Sequence, residues 1–161
     1  MTEADATERY AGWLNDPEVN TYLTTKSATV PELRQFIITK NAQPDTLLFG
    51  IFLRENSVHI GTTKLEPIDR VNKKATIGIL IGDKRYWGKG IASEAMSLLI
   101  DFCFSELRLD EVNLGVLAQN EAALRVYTKL GFREIRREMG AVHYANGIFD
   151  QVTMIKRNHA T

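Results

Sequence analysis

Arg85-Tyr86-Trp87-Gly88-Lys89-Gly90, running directly into Ile91-Ala92-Ser93-Glu94-Ala95, is the stretch on which the fold turns. Ahead of it, Ala75 to Ile81 reads as a strand. Behind it, Ile91, Ala95, Leu98, Leu99 and Phe102 fall at helical spacing. A strand, a glycine loop and a helix in that order present backbone N–H groups at a helix N-terminus. Those groups and the helix dipole favour an anion, most readily a phosphate. Glycines let the chain approach closely, and Arg85 and Lys89 add positive charge beside the loop. The segment lacks the Gly-Lys-Ser/Thr ending of an ATP-binding P-loop and the three-glycine dinucleotide fingerprint. Two glycines alone read equally well as a tight strand-to-helix turn.

Working outward, Ala6 to Leu14 is helical, with Ala6, Tyr10, Trp13 and Leu14 on one side. Asn15-Asp16-Pro17-Glu18 breaks and restarts it, Asp16 as cap and Pro17 as first helical residue. Thr29-Val30-Pro31-Glu32 is a capping box opening a helix with Leu33, Phe36 and Ile37 on one stripe. Leu47 to Leu53 and Val58 to Leu65 form an antiparallel hairpin about Glu55-Asn56-Ser57. Asp69 to Lys74 is a polar, basic connection to the strand Ala75–Ile81. Beyond the glycine loop and its helix come a strand, Glu111 to Leu117, and a helix, Glu121 to Leu130, stopped by Gly131. Two closing strands, Phe132 to Arg137 and Ile148 to Ile155, flank a loop at Ala145-Asn146-Gly147. The sum is a mixed sheet covered by helices, an α/β (α+β) sandwich.

Composition narrows the function classes. The 161 residues suit a single domain spanning 1–161, with no repeat and no linker. Twenty Lys and Arg balance twenty Asp and Glu, which disfavours a nucleic-acid or anionic-membrane partner. One cysteine, Cys103, excludes an internal disulfide and fits a reducing compartment. The apolar runs are far short of the ~20 residues that span a bilayer. Met1-Thr2-Glu3-Ala4-Asp5 is too acidic for a signal or transit peptide, so the cytoplasm is the expected location. His59, His143 and His159 show no metal spacing, and no metal is expected.

A second segment carries chemistry: Asn120-Glu121-Ala122-Ala123-Leu124-Arg125-Val126-Tyr127-Thr128-Lys129-Leu130-Gly131-Phe132. Asn120 is a natural N-cap, and Tyr127, about two turns on, lies near the same face. By itself Tyr127 also reads as a core aromatic. Together the two segments resemble the GNAT acetyltransferase family. Its motif Arg/Gln-x-x-Gly-x-Gly/Ala is met by Arg85, Gly88 and Gly90. Its later segment, Asn-x-x-(small)-x-x-x-Tyr-x-Lys-x-Gly-Phe, is met by Asn120, Ala123, Tyr127, Lys129, Gly131 and Phe132. The resemblance covers roughly Leu47 to Ile155. Trp13-Leu14-Asn15-Asp16-Pro17-Glu18-Val19 is similar to the first helices of the branch with ribosomal-protein N-terminal and amino-sugar acetyltransferases.

The resemblance implies a mostly antiparallel sheet with splayed central strands. It implies acetyl-CoA as co-substrate, its pantetheine arm against Ile79, Leu80 and Ile81, where an N–H would polarise the thioester carbonyl. The pyrophosphate falls to the N–H groups from Trp87 through Gly88, Lys89 and Gly90 to Ile91, with Ala92 next along the helix. Asn120 bonds the pantetheine, Lys129 reaches the phosphates or is a plain surface charge, and Tyr127 protonates the leaving thiolate. The acceptor is a primary amine attacking directly in a ternary complex. It belongs to a small molecule, such as a nucleotide-linked amino sugar, or to a peptide N-terminus. A non-catalytic acyl-CoA-binding module is the reading from another class, and Tyr127 discriminates between them.

The chain departs from the family twice. Relatives carry Glu in an Ala-Glu-Ile-Gly pattern on the strand before the loop; here the residues are Ala75-Thr76-Ile77-Gly78. Thr76 cannot act as base, so Glu66 is the expected substitute, with His59 second. Relatives also open with a strand that is missing here. An uncovered sheet edge makes a homodimer a hypothesis, refuted by a monomer in light scattering. His143, Tyr144 and Asp150 border the expected acceptor side, Trp13 and Tyr22 wall it or pack in the core, and Cys103 between Phe102 and Phe104 reads as a buried structural thiol.

Overall fold

The computed structural model describes residues 1–158, so His159 lies outside the described residues. Local signals set the helices. Thr7 accepts from the Tyr10 N–H at 3.2 Å and opens α1 (Glu8–Asn15). Asp16 caps α2 (Pro17–Asn20) through the Glu18 N–H at 2.9 Å, with Pro17 in its first turn. The expected box opens α3 (Val30–Asn41), the Glu32 carboxylate accepting from the Thr29 N–H at 2.7 Å. Strands β1 (Leu47–Phe52), β2 (His59–Asp69) and β3 (Lys74–Ile81) follow, then α4 (Ile91–Ser105), β4 (Glu111–Leu117), α5 (Glu121–Lys129), β5 (Arg133–Tyr144) and β6 (Gly147–Arg157). The strand order is β1-β2-β3-β4-β6-β5. Only the β3–β4 pair among those with a resolved register is parallel. This is the mixed, mostly antiparallel sheet with helices that the sequence suggests. No strand precedes α1 among the described residues, and β1 stands at one end of the order.

The chain divides into two compact units, with β2 and β3 running through both. The first holds Met1–Glu66 and Ile79–Ile91. Its core is the apolar face of α1 and α3 (Tyr10, Trp13, Leu14, Leu33 and Ile37) with Leu48. Each such side chain contributes about 1.5–3 kcal/mol when fully buried. The second holds Pro67–Gly78 and the described residues from Ala92 onward. There the inward positions of β4 (Val112, Leu114 and Val116) are buried, as are Met96, Ile100 and Cys103 on α4. Their spacings, 2 on the strand and 3–4 on the helix, are those of elements buried on one face.

Within the second unit the β3–β4 ladder is short. It pairs Lys74 with Glu111, Ala75 with Val112 and Thr76 with Asn113. Across the last of these pairs the Thr76 hydroxyl donates to Asn113 Oδ1 at 2.8 Å. The β4–β6 ladder, by contrast, runs the whole of β4 from Glu111 to Leu117. The β3–β4 ladder thus ends at the Thr76–Asn113 pair.

Two strands are longer than the sequence suggested. β2 continues past Leu65 to Asp69, because Asp69 ties its own turn, accepting from Asn72 N–H at 2.9 Å and Nδ2–H at 2.7 Å. β5 runs to Tyr144 through two register shifts, and the second, between Glu138 and Val142 with the left-handed Gly140 inside it, breaks the alternation past Arg137.

Candidate functional site

In the first unit, the glycine loop is built on a buried acid. Asp83 caps a 3-10 turn over Lys84–Tyr86, accepting from the Arg85 N–H at 3.1 Å. The Arg85 guanidinium folds back onto the same carboxylate through Nε at 2.9 Å and Nη2 at 2.6 Å, and Arg9 approaches at 3.4 Å. The Arg85 bonds hold the Asp83 carboxyl below the usual carboxylate range. Arg85 was expected to add free charge beside the loop; its charge is matched by Asp83 instead.

Trp87 is likewise committed. Its N–H donates to the Lys84 carbonyl at 3.1 Å, and its indole Nε1–H donates to the Ile81 carbonyl at 2.7 Å. The Trp87 N–H therefore leaves the set expected to meet a pyrophosphate, and one lone pair of the Ile81 carbonyl is taken. The set begins at Gly88. Gly88 and Gly90 have φ of +69° and +79°, left-handed values that a side chain would strain. The N–H groups of Gly88, Lys89 and Gly90 are exposed and meet no acceptor among the described residues. Ile91 and Ala92 then open α4, whose first N–H groups have no intrahelical acceptor. The Lys89 ammonium stands 5.5 Å from the Tyr86 ring centroid.

Glu66 and His59 lie on the same strand with different surroundings. Glu66 is paired with Lys40 and, at 3.0 Å, with Lys64. Burial works to raise its pKa, but the two lysines prevail and hold it below the ordinary glutamate value. Gly61, against the Leu80 carbonyl, marks where β3 ends beside β2. Glu66 is five residues further along, about 16 Å at 3.3 Å per residue. His59, two residues from Gly61 on the other side, is buried at 8% exposure. Its ring stacks on Phe52 at 4.7 Å and takes Trp13 and Tyr10 edge-on at 5.0 and 5.9 Å.

In the second unit, Asn120 accepts from the Ala123 N–H at 3.2 Å as the cap of α5. Lys129 is exposed at the far end of the helix. Tyr127 is the one buried residue of α5 and packs on Phe132 at 5.9 Å. Burial pushes its phenol up to about 12, so it stays protonated at neutral pH. The structure thus brings Ile79–Ile81 and Arg85–Ile91 together in one unit, and Asn120, Tyr127, Lys129 and Ala92 fall in the other. His143 is exposed, and Asp150 is spent on the Gly140 N–H at 2.8 Å. Sequence reasoning missed Asp83, whose only signal was an acid directly ahead of Lys84-Arg85. It also missed the rings around His59, which come from α1 and β1 and leave no local signal.

Among the described residues no group of His, Cys, Asp and Glu could hold a metal, and no helix is long and apolar enough to cross a membrane. A family model, the acetyltransferase (GNAT) domain, matches residues 1–133. An uncharacterized N-acetyltransferase of Bacillus licheniformis, p20, is 31% identical over 138 residues, 83% of this chain and 75% of that protein. A putative ribosomal N-acetyltransferase of Bacillus subtilis, YdaF, is 31% identical over 145 residues, 88% of this chain and 73% of that one. The spermidine N-acetyltransferase of Vibrio cholerae, solved with CoA and spermine, shares the fold with a TM-score of 0.88 over 98% of this chain and 92% of its own, at 20% identity. With the glycine loop after β3 and the capped helix carrying Tyr127, these matches establish that the chain belongs to the GNAT family of acetyl-CoA-dependent N-acetyltransferases.

Proposed function

We propose that the protein moves the acetyl group of acetyl-CoA to the primary amine of a small molecule by direct attack in a ternary complex. The observation that carries this reading is the run of exposed N–H groups over Gly88–Gly90 opening into α4. Such a run fits a pyrophosphate, which needs several donors and no side-chain volume. The backbone of Ile79–Ile81 serves the pantetheine arm and the thioester carbonyl, Asn120 bonds the arm through its amide, and Lys129 serves the phosphates.

In the transfer, the amine nitrogen bonds the acyl carbon as the carbon–sulfur bond breaks, and the electron pair leaves on sulfur. Tyr127 meets that thiolate. A phenol near 12 facing a thiol near ~8.5 would lose about 5 kcal/mol in full proton transfer at ~1.4 kcal/mol per unit. Tyr127 therefore acts first as a hydrogen-bond donor to the developing charge, and the thiol's proton comes finally from the ammonium or water.

The acceptor must lose a proton before it attacks. Thr76 offers no base. Glu66, with two lysines on its carboxylate, is a weak one. An amine of lowered pKa, as in a nucleotide-linked amino sugar, needs least help. A protein N-terminus, with an α-amino group near ~7.7–8.0, is the second reading, favoured by the relative that spans 88% of this chain. The test is thiol release from acetyl-CoA against a panel of amino sugars, amino acids, polyamines and peptides, with Tyr127→Phe alongside. Turnover on one class, lost in the variant while acetyl-CoA still binds, is expected. Binding without release on any amine would leave an acyl-CoA-binding module.

A further inference from the structure

We propose that His59 is the general base of the transfer and that the rings of Tyr10, Trp13 and Phe52 around it receive the acceptor; this rests on the acetyl-transfer reading above. Both imidazole nitrogens are shut from solvent, and neither has a hydrogen-bond partner. Buried polar atoms in folded proteins are almost always paired, and an exception calls for a reason. A purely structural role supplies none here, because phenylalanine would fill the same aromatic box without stranded nitrogens.

Two glycines make room for the walls of the box. Trp13 lies flat over Gly82 and Phe52 over Gly50, and a Cβ at either glycine would overlap the ring above it. Phe52 sits at a register shift of β1 and is 46% exposed, so it is the wall that can swing away. The box also adjoins the segment assigned to the thioester. The Ile60 carbonyl accepts from the N–H groups of Gly82 and Asp83 at 2.9 and 3.1 Å, and Gly61 abuts the Leu80 carbonyl. His59 therefore stands one residue from the contact between β2 and the end of β3.

Its protonation state suits the task. Burial lowers the imidazole pKa, with Arg9 on α1 and the chain's amino terminus acting the same way. The Gly61 backbone and then the charge of Asp5 oppose them, and Tyr10 faces the ring as a neutral phenol with its own pKa raised. The neutral base takes one proton from the acceptor ammonium. The freed amine forms the carbon–nitrogen bond as the carbon–sulfur bond breaks. Of the three ammonium protons, one stays on the amide, one ends on the CoA thiol and one goes to solvent. Aromatic faces attract an ammonium, while a base of lowered pKa suits one near pKa ~8 better than an alkylamine near ~10.4. The acceptor class is then an α-amino or amino-sugar amine rather than a polyamine.

The test measures wild type, His59→Phe and His59→Gln with the best amine of the panel. His59→Phe is expected to melt at or above the wild-type temperature and bind acetyl-CoA unchanged. Its kcat should fall by about 10²-fold or more, the usual contribution of a general base. The acidic limb of the kcat/KM profile should vanish in both variants. A His59→Phe protein with wild-type turnover and the same acidic limb overturns the proposal while acetyl transfer stands. Should His59→Phe unfold, His59→Gln decides on the same two readouts. A wild type that binds acetyl-CoA and acetylates nothing sinks this proposal and its parent together.

Discussion

Removing the Asp83 carboxylate tests whether the glycine loop is held from beneath. The side chain does two separable things: it caps the 3-10 turn through the Arg85 N–H, and it pairs with the Arg85 guanidinium. A lost cap costs about 1 kcal/mol. The ion pair, whose Arg85 side chain is 70% exposed, adds at most about 1 kcal/mol. Arg9 at 3.4 Å, with a half-exposed side chain, adds little. Asp83→Ala should therefore lose about 2 kcal/mol, and at about 2–4 °C per kcal/mol for a chain of this size, Tm should fall by about 4–8 °C. Asp83→Asn keeps the cap and loses the charge, so about half that drop is expected. The carboxyl is held below its unfolded pKa of about 3.9, so its contribution is present above that value and lost as pH falls through the folded one. Thermal melts from pH 7 to pH 3 should show the charge part of the Asp83→Ala deficit, about half of it, disappearing only at the acid end while the cap part stays. Equal melting of Asp83→Ala and wild type at pH 7 would refute the reasoning. Asn and Ala variants that fall equally would assign the whole effect to charge.

Three further outcomes are expected. Trp87→Phe removes the 2.7 Å bond to the Ile81 carbonyl and should weaken acetyl-CoA binding several-fold by calorimetry, at about 1 kcal/mol for a lost hydrogen bond; unchanged affinity would free the loop from that brace. Glu66→Gln should keep kcat within about 2-fold while losing about 1 kcal/mol of stability, a deficit present above the unfolded pKa of about 4.3 and lost as pH falls through the lowered folded value. A kcat loss near 10²-fold would restore Glu66 as the base. Cys103, fully buried with its thiol pushed up to about 12, should stay silent toward a disulfide reagent in the native protein and react once unfolded; native reaction would contradict the burial.

What the sequence made legible was local. The caps at Asp16 and Thr29, the stop at Gly131 and the periodicity of α4 each act through a few neighbouring residues, and all of them stand in the structure. The loop was legible as a loop, since only glycine takes φ near +70° to +80° without strain. What escaped was commitment at a distance. Arg85 read as a free cation because its partner Asp83 is a buried acid whose burial no local pattern announces. Glu66 read as a free carboxylate because Lys40 comes from α3, 26 residues earlier. His59 read only as the second candidate base because the rings of Trp13 and Tyr10 reach it from α1. In each case the residue type was visible and its electrostatic partner was not.

The same distinction bears on Thr76. At the last pair of the β3–β4 ladder its hydroxyl donates to Asn113, so it ties the two strands together, and an aliphatic hydroxyl is far too weak a base to take a proton from an ammonium. A proton acceptor near the end of β3 must then come from the neighbouring strand. β2 supplies one titratable side chain at that level, His59, and keeps it unpaired; its other candidate, Glu66, lies seven residues along the strand with two lysines on its carboxylate. An unsatisfied imidazole costs stability, and it lies in the first unit together with the two left-handed glycines. Local costs of this kind persist in natural sequences chiefly where function requires them. The imidazole on β2 stands beside the end of β3 and the two glycines lie in the loop that follows it, so the proposed proton acceptor and the proposed phosphate site flank one short segment of the first unit.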